Sequence, residues 1–312
     1  MVNSTVMNTA MKAALLHSDP LYLVLISLML SCFCLFIFFM AIILWAFFST
    51  SHMEEEPRYI LFVHMLINDA VYLVLGLFVF FVTAYVIYFP VPVCYILVMV
   101  TSTSFKVTPY TLAVMCLERY VAICFPLRHA EVCTRQKSYL AIAMIWIIGL
   151  IPNVADFIIL CSSVKQDFFY HYCLCVRSEF VLTEAQNTIR SLVHATTFSL
   201  VGLIIVFTYI KIMLVAVKLD SGKASASKAG RTVIMHACQL LLCMTAFTYT
   251  LTEAYLRKYL YMLPVINFFF FMCLPRFISP LIYGIRDEVF SKYLKRFVLC
   301  KPVRTAPNSV TS

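Results

Sequence analysis

The 312-residue chain is 62% hydrophobic and only 12% charged, with a mean hydropathy of +0.91. That balance excludes a water-soluble globular domain, in which the apolar share is about half. The formal net charge of +9 is scattered over segments between apolar runs, which excludes a nucleic-acid groove and points to a membrane surface and its partners. A helical crossing of hydrocarbon takes about 20 apolar residues, and runs of that length stand near 21–48, 59–83, 93–118, 138–161, 188–217, 232–256 and 260–284. The expected fold is an all-α membrane protein, a seven-transmembrane helix bundle. With the N-terminus outside, two-thirds of the 24 Lys and Arg fall on the cytoplasmic side, the orientation that basic loops favour.

Residues 1–20 are polar and lack an apolar core of signal-peptide type, so the first span is expected to act as its own insertion signal. Asn3-Ser4-Thr5 fits the glycosylation sequon, usable on an extracellular N-terminus. The acidic run Glu54-Glu55-Glu56 after the first span reads as a solvated face. In the second span a carboxylate as deep as Asp69 is costly unless it is paired or lines a polar cavity, which makes it a functional candidate.

The third span carries Val98, Thr101, Ser102, Phe105 and Lys106 at helical steps, one stripe. Lys106 precedes Arg119 by 13 residues, so it lies about 20 Å deeper at ~1.5 Å per residue, near mid-bilayer. A lysine there needs a counter-charge, loss of its proton or a ligand. Both an acidic ligand and pairing within the bundle or with water remain open. The span ends in Glu118-Arg119-Tyr120, then Val121-Ala122-Ile123-Cys124-Phe125-Pro126-Leu127-Arg128-His129. An arginine at such an end reaches water and can pair with Glu118 in one state while serving a partner in another; the plainer reading is that it snorkels.

Trp146 and Pro152 mark the fourth span, with Asp156 near its outer end, and the loop 162–187 is long enough to lid a cavity. Of the thirteen cysteines, Cys94, Cys161, Cys173 and Cys175 face outward, and four allow three connectivities. No metal site is expected, because no pair of Cys-x-x-Cys motifs occurs. In the fifth span His194 and Thr197 are either satisfied polar residues or contacts to a ligand, and Tyr209 lies near its inner end. The seventh span places Arg276 one turn before Ser279, on the face toward Asp69. Arg276 either pairs with Asp69 or binds free backbone carbonyls, such as the one that Pro280 leaves without a donor. After Tyr283, residues 286–299 alternate Val289, Phe290, Tyr293 and Leu294 with Lys292, Lys295 and Arg296, a short amphipathic cytoplasmic helix expected on the inner leaflet. Cys300 opens the tail 300–312 and is a candidate for palmitoylation.

Asp69, Glu118-Arg119-Tyr120, Tyr209 and Ser279-Pro280-x-x-Tyr283, in that order, resemble the rhodopsin-like (class A) G-protein-coupled receptors. The string from Val121 to Arg128, with Lys228, Ala229, Thr232 and His236, is similar to the olfactory or odorant receptors among them. The departures are a first span without the usual Asn, Ser279 for an Asn, Arg276, and Cys243-Met244-Thr245-Ala246 where most rhodopsin-like receptors have Cys-Trp-x-Pro, a motif odorant receptors also lack. They point to a divergent fish- or amphibian-type branch.

The resemblance implies a ligand cavity lined by Val98, Thr101, Ser102, Phe105, Lys106, His194, Thr197, Phe247, Leu251 and Phe269. It implies a G-protein switch of Glu118, Arg119, Tyr120, Tyr209 and Tyr283, and an Asp69 that holds a water and sodium cluster; the departure at Arg276 suggests instead a buried polar core of Asp69, Arg276 and Ser279 in which Arg276, if it pairs with Asp69, replaces the ion. It also implies a disulfide from Cys94 to the second outside loop, with Cys175 the preferred partner and Cys173 the alternative. Thr101 stands where amine receptors carry an Asp, which argues against biogenic amines. The implied function is that of a plasma-membrane receptor that binds a small odorant from outside and activates a stimulatory heterotrimeric G protein, raising cyclic AMP, with no cofactor. A class A receptor for a peptide or lipid is the alternative, and a transporter the rival class. The chain shows no internal repeat of the kind transporters carry. It also lacks the His-Glu-x-x-His, Gly-x-Ser-x-Gly or phosphate-cradling glycine motifs of an enzyme.

Overall fold

The structure, a computed structural model, describes residues 20–218, residue 241 and residues 263–278. Asn3, Phe247, Leu251, Ser279, Tyr283, the expected sixth span apart from Leu241, the tail helix and both termini lie outside the described residues. Five long helices dominate: α1 (Pro20–Ser49), α2 (Pro57–Ala84), α3 (Val91–Cys124), α4 (Arg135–Ser163) and α5 (Glu184–Lys218). All five are long and apolar enough to cross a membrane. The segment 263–278 is apolar too, α-helical over Leu263–Asn267 and widened to a π-helix over Phe268–Cys273.

Proline sets where helices begin. Pro57 opens α2, Pro92 lies in the first turn of α3 and Pro126 opens the short helix Pro126–Val132, positions where the missing N–H had no partner to lose. The residue before a proline is pushed out of the helical region. Phe125, at φ −136°, accordingly ends α3 while its N–H still reaches the Val121 carbonyl. Thr134 caps α4, its hydroxyl accepting the Lys137 N–H at 3.3 Å. Past the end of α2 the chain turns through Val86 at φ 56°. Ile87 N–H donates to Val82 O at 2.8 Å and Val86 N–H to Thr83 O at 3.2 Å, the paired closure of a helix end normally built on glycine. A β-branched residue is strained in that left-handed region.

The central helix is α3, packed along α2 and α5 and less extensively on α4, while α1 leans on α2. Leu112 and Met115 of α3 join Phe62, Leu66 and Leu73 of α2, Met29 and Phe36 of α1, and Phe198 and Val201 of α5 in one buried cluster. Phe269, Cys273 and Phe277 of the 263–278 segment complete it. Gly149 lets α4 come close to α3: a Cβ there would already stand 3.5 Å from Val107 and 3.6 Å from Thr103. Trp146 Nε1 donates to His64 Nε2 at 2.9 Å, tying α4 to α2. Leucines and isoleucines such as Leu140, Ile158 and Leu203 face outward at 63–68% exposure, as they must when the surrounding solvent is hydrocarbon.

A two-stranded antiparallel lid covers one end of α3. β1 (Tyr88–Pro90) pairs with β2 (Tyr172–Leu174), with Phe89 opposite Cys173. A disulfide joins Cys94, in the first turn of α3, to Cys175 just past β2. Of the two alternatives left by the sequence, Cys175 is therefore the partner and Cys173 keeps a free, buried thiol.

Candidate functional site

Three polar clusters lie along α3. Beneath the lid, Lys106 is only 4% exposed, and its Nζ donates to Asn153 Oδ1 at 3.0 Å. The same oxygen accepts from Ser102 Oγ at 3.0 Å, while Asn153 Nδ2 donates to Thr103 Oγ1 at 2.6 Å. Ser102 in turn accepts from Arg177 Nη1 at 3.1 Å, and Arg177 Nη2 pairs with Asp156 Oδ2 at 2.8 Å. Arg177 stands two residues past the disulfide, so a continuous polar chain runs from the lid to the middle of α3. Burial pulls the Arg177 guanidinium below its ordinary pKa, and the Asp156 carboxylate opposes that fall.

The expected stripe on α3 does not face one neighbour. Ser102 and Lys106 turn to α4 and its Asn153, whereas Phe105 packs its ring against Tyr72 of α2, His194 and Phe198 of α5 and the guanidinium of Arg276. Thr101 spends its hydroxyl on its own helix, at Leu97 O and Val98 O. Val98 lines a cavity with Tyr95, Ser102, Arg177 and Phe180. On α5, His194 shares a second cavity with Lys106, and Thr197 is bonded to Tyr110 OH at 2.8 Å. Phe269 is buried in the common core.

One and a half turns further along, Asp69 is 1% exposed and accepts from Thr108 Oγ1 at 2.8 Å. Arg276 Nε lies 3.5 Å from the same carboxylate oxygen, Nη1 donates to Met272 O at 3.0 Å, and the guanidinium carbon stacks 3.7 Å from the Tyr72 ring centroid. This arginine thus touches the Asp69 carboxylate and a backbone carbonyl of its own helix, Met272 O, rather than the one that Pro280 leaves without a donor. Asn68 beside Asp69 donates to Ser104 O and Thr108 Oγ1, locking α2 to α3.

At the far end of α3, Glu118 is 7% exposed between two bases: Arg119 Nε at 3.6 Å and His129 Nε2 at 3.1 Å. Tyr120 packs edge-on against Phe125 and Phe207, and Tyr209 sits half-buried on α5. Asn153, Arg177 and His129 are the residues sequence reasoning passed over. The available signal was weak: an amide inside an apolar span, a basic residue just after a loop cysteine and a histidine one turn past Phe125. Among the described residues no group of acids, His and Cys is placed to hold a metal ion.

The matches to known proteins agree with this architecture. A family model described as 7 transmembrane receptor (rhodopsin family) matches residues 40–283. Odorant receptor 131-2 of Danio rerio is 31% identical over 251 residues, covering 79% of this chain and 77% of the relative. Olfactory receptor 52A1 of Homo sapiens is 30% identical over 187 residues, 55% of this chain and 58% of the relative. Olfactory receptor 51D1 of Homo sapiens is 29% identical over 195 residues, 60% and 59%. These two human matches span less than two-thirds of the relatives' length. Family membership makes the chain a multi-pass plasma-membrane receptor rather than an enzyme. The chain belongs to the rhodopsin family of seven-transmembrane receptors, on its odorant-receptor side.

Proposed function

We propose that the protein binds a small odorant from the extracellular side and activates a stimulatory heterotrimeric G protein, raising cyclic AMP. In this reading seven spans run from an extracellular N-terminus, open to glycosylation at Asn3, to a tail helix lying on membrane lipid of the inner leaflet. The polar chain from Arg177 in the lid to Lys106 carries the proposal, because it joins an outer loop to the central helix beside two cavities. Ligand contact there biases the packing of α3 against α4 and α5, and a ligand shifts an equilibrium only by its difference in affinity for the two states.

Toward the inner end, Asp69 and Arg276 form a buried pair in which a fixed guanidinium takes the place of an ion, with Ser279 assigned to the same core from the sequence. Such a pair sets a resting state more than it adds stability. The switch is Glu118-Arg119-Tyr120: the active state releases Arg119 from Glu118, and with Tyr209 and Tyr283 it receives the G-protein helix. The test is a cyclic-AMP assay in cells expressing the chain, challenged with pooled water-soluble odorants beside Arg119→Ala. A response lost in Arg119→Ala at equal surface expression is expected. Silence across several G-protein readouts, with surface expression shown, overturns the reading.

A further inference from the structure

Glu118 is a single buried carboxylate held from two sides. Its Oε2 lies 3.6 Å from Arg119 Nε and its Oε1 lies 3.1 Å from His129 Nε2, so of the two bases the histidine is the closer. The break at Phe125 and Pro126 makes this possible: it ends α3, starts the short helix Pro126–Val132 and lets His129, 11 residues on, come back onto Glu118. The His129 side chain is 30% exposed, so solvent protons reach the ring. A neutral imidazole with its proton on Nε2 already donates to the carboxylate, so a second proton adds charge rather than contact. That charge offsets the carboxylate's and repels the guanidinium on the other oxygen, two effects of one sign.

The other ionisable groups at this end, among the described residues, have their own partners or keep one charge state. Lys137 of α4 donates from Nζ to Glu131 O at 2.6 Å, and Arg135 lies over the Tyr139 ring at 5.9 Å. Arg58 of α2 pairs with Glu56 at 2.9 Å and lies over the Tyr59 ring, and Lys211 of α5 lies over the Phe207 ring at 5.8 Å. Arg128 and Glu131, on the short helix with His129, are exposed. Just past that helix, burial, with Glu118 adding to it and Lys137 opposing, pushes the Cys133 thiol up and keeps it neutral. Lysine, arginine and tyrosine hold one charge state across neutral pH, and imidazole is the side chain that does not.

We propose that His129 is a proton sensor on the cytosolic side: its charged ring competes with Arg119 for Glu118, so acidification of the cytosol eases the release of Arg119 and raises ligand-free output. The inference rests on the receptor reading and gives its switch a second input, on the membrane face opposite the odorant. Release of Arg119 is costly because a buried carboxylate is left behind. A protonated His129 stays on that carboxylate and lowers the cost, and a neutral ring does not. The coupling is reciprocal, so departure of Arg119 favours proton uptake by the ring as strongly as the proton favours the departure. The proton's contribution is fully present below the range in which the imidazole titrates and is lost as pH rises through it.

The decisive experiment uses washed membranes from cells expressing the full-length chain, supplied with GTP and buffered from about pH 6 to 8 without odorant, the range over which an imidazole changes charge. Membranes carrying His129→Gln and His129→Arg at equal expression stand beside them. Glutamine keeps a donor but does not titrate, so the ratio of cyclic AMP between the unaltered chain and His129→Gln cancels pH effects on the G protein and the cyclase. That ratio is expected to rise about two- to fivefold on acidification across this range, the scale of a partly exposed ion pair, with His129→Arg high at both ends. A ratio that stays flat or falls overturns the proposal, because any acid response then lies outside His129.

A second readout needs no G protein: NMR titration of the histidine-labelled chain in nanodiscs, with the His129 signal identified by its loss in His129→Gln. Its midpoint is expected to move in opposite directions in Arg119→Gln and Glu118→Gln, and a midpoint indifferent to either change overturns the competition. Opposite movements without cyclic AMP at any pH, surface expression shown, support the proton site and overturn the receptor reading. A cyclic-AMP response that Arg119→Ala abolishes, with a flat His129 ratio, does the reverse.

Discussion

Arg276 and Lys106 are both buried basic residues facing the centre of the bundle, at 3% and 4% exposure, yet their surroundings differ in kind. Arg276 has a carboxylate at 3.5 Å, a carbonyl at 3.0 Å and an aromatic face at 3.7 Å. Lys106 has an amide oxygen and a cavity. A guanidinium presents a rigid fork and a flat face, so several fixed partners can hold it at once. An ammonium is a compact charge with rotating donors, and leaves some of them for whatever enters. The first arrangement has fixed partners on three sides; the second has one neutral acceptor.

The sharpest way to break this contrast is to remove the carboxylate. Asp69→Ala strands Arg276 and should cost about 3–5 kcal/mol, read as loss of surface expression and of a cooperative melt. The double change Asp69→Leu with Arg276→Met should recover most of it. If Asp69→Ala melts no lower than Lys106→Met, the two sites are alike and the contrast fails. Next in size, Cys94→Ser should cost about 2–5 kcal/mol by freeing the lid. It should also weaken ligand-induced stabilisation, because Arg177 hangs from that tether, whereas Cys173→Ser should do neither.

Asn153→Leu tests the other side of the comparison. It removes the acceptor shared by Lys106 and Ser102, and should lower stability by about 1–3 kcal/mol, with part of the loss recovered by adding Lys106→Met. The smallest effect belongs to the inner end of α3, where His129→Ala removes the more exposed of two basic partners flanking the buried Glu118. That contact is worth at most about 1 kcal/mol. The expected readout is a change of no more than about fivefold in ligand-free cyclic AMP at unaltered melting temperature, a scale that neither buried site should match.

Membrane class and family were legible because both are written in one dimension: apolar runs of bilayer length, and short motifs in fixed order. Charged residues within those runs, Asp69, Lys106 and Arg276, stood out for the same reason, since their burial is what costs most. Their neutral partners did not. Thr108, Tyr72 and Asn153 are ordinary residues until packing brings α2, α4 and the 263–278 segment against α3. The five-residue stripe on α3 addresses more than one neighbour for a geometric reason: at about 100° per residue its members spread over roughly 140° of the helix. The disulfide partner lay two residues from its competitor, a spacing that motif order alone does not resolve.

Cys173 carries one more consequence. Its thiol is buried within two residues of the Cys94–Cys175 bond, and burial, with Glu179 adding to it, pushes that thiol's pKa up. Exchange requires a thiolate, and the protonated form is a poor nucleophile. Among the described residues Cys173 is the free cysteine nearest the tether in sequence, and a raised pKa makes its attack on that bond slower than an ordinary thiol's.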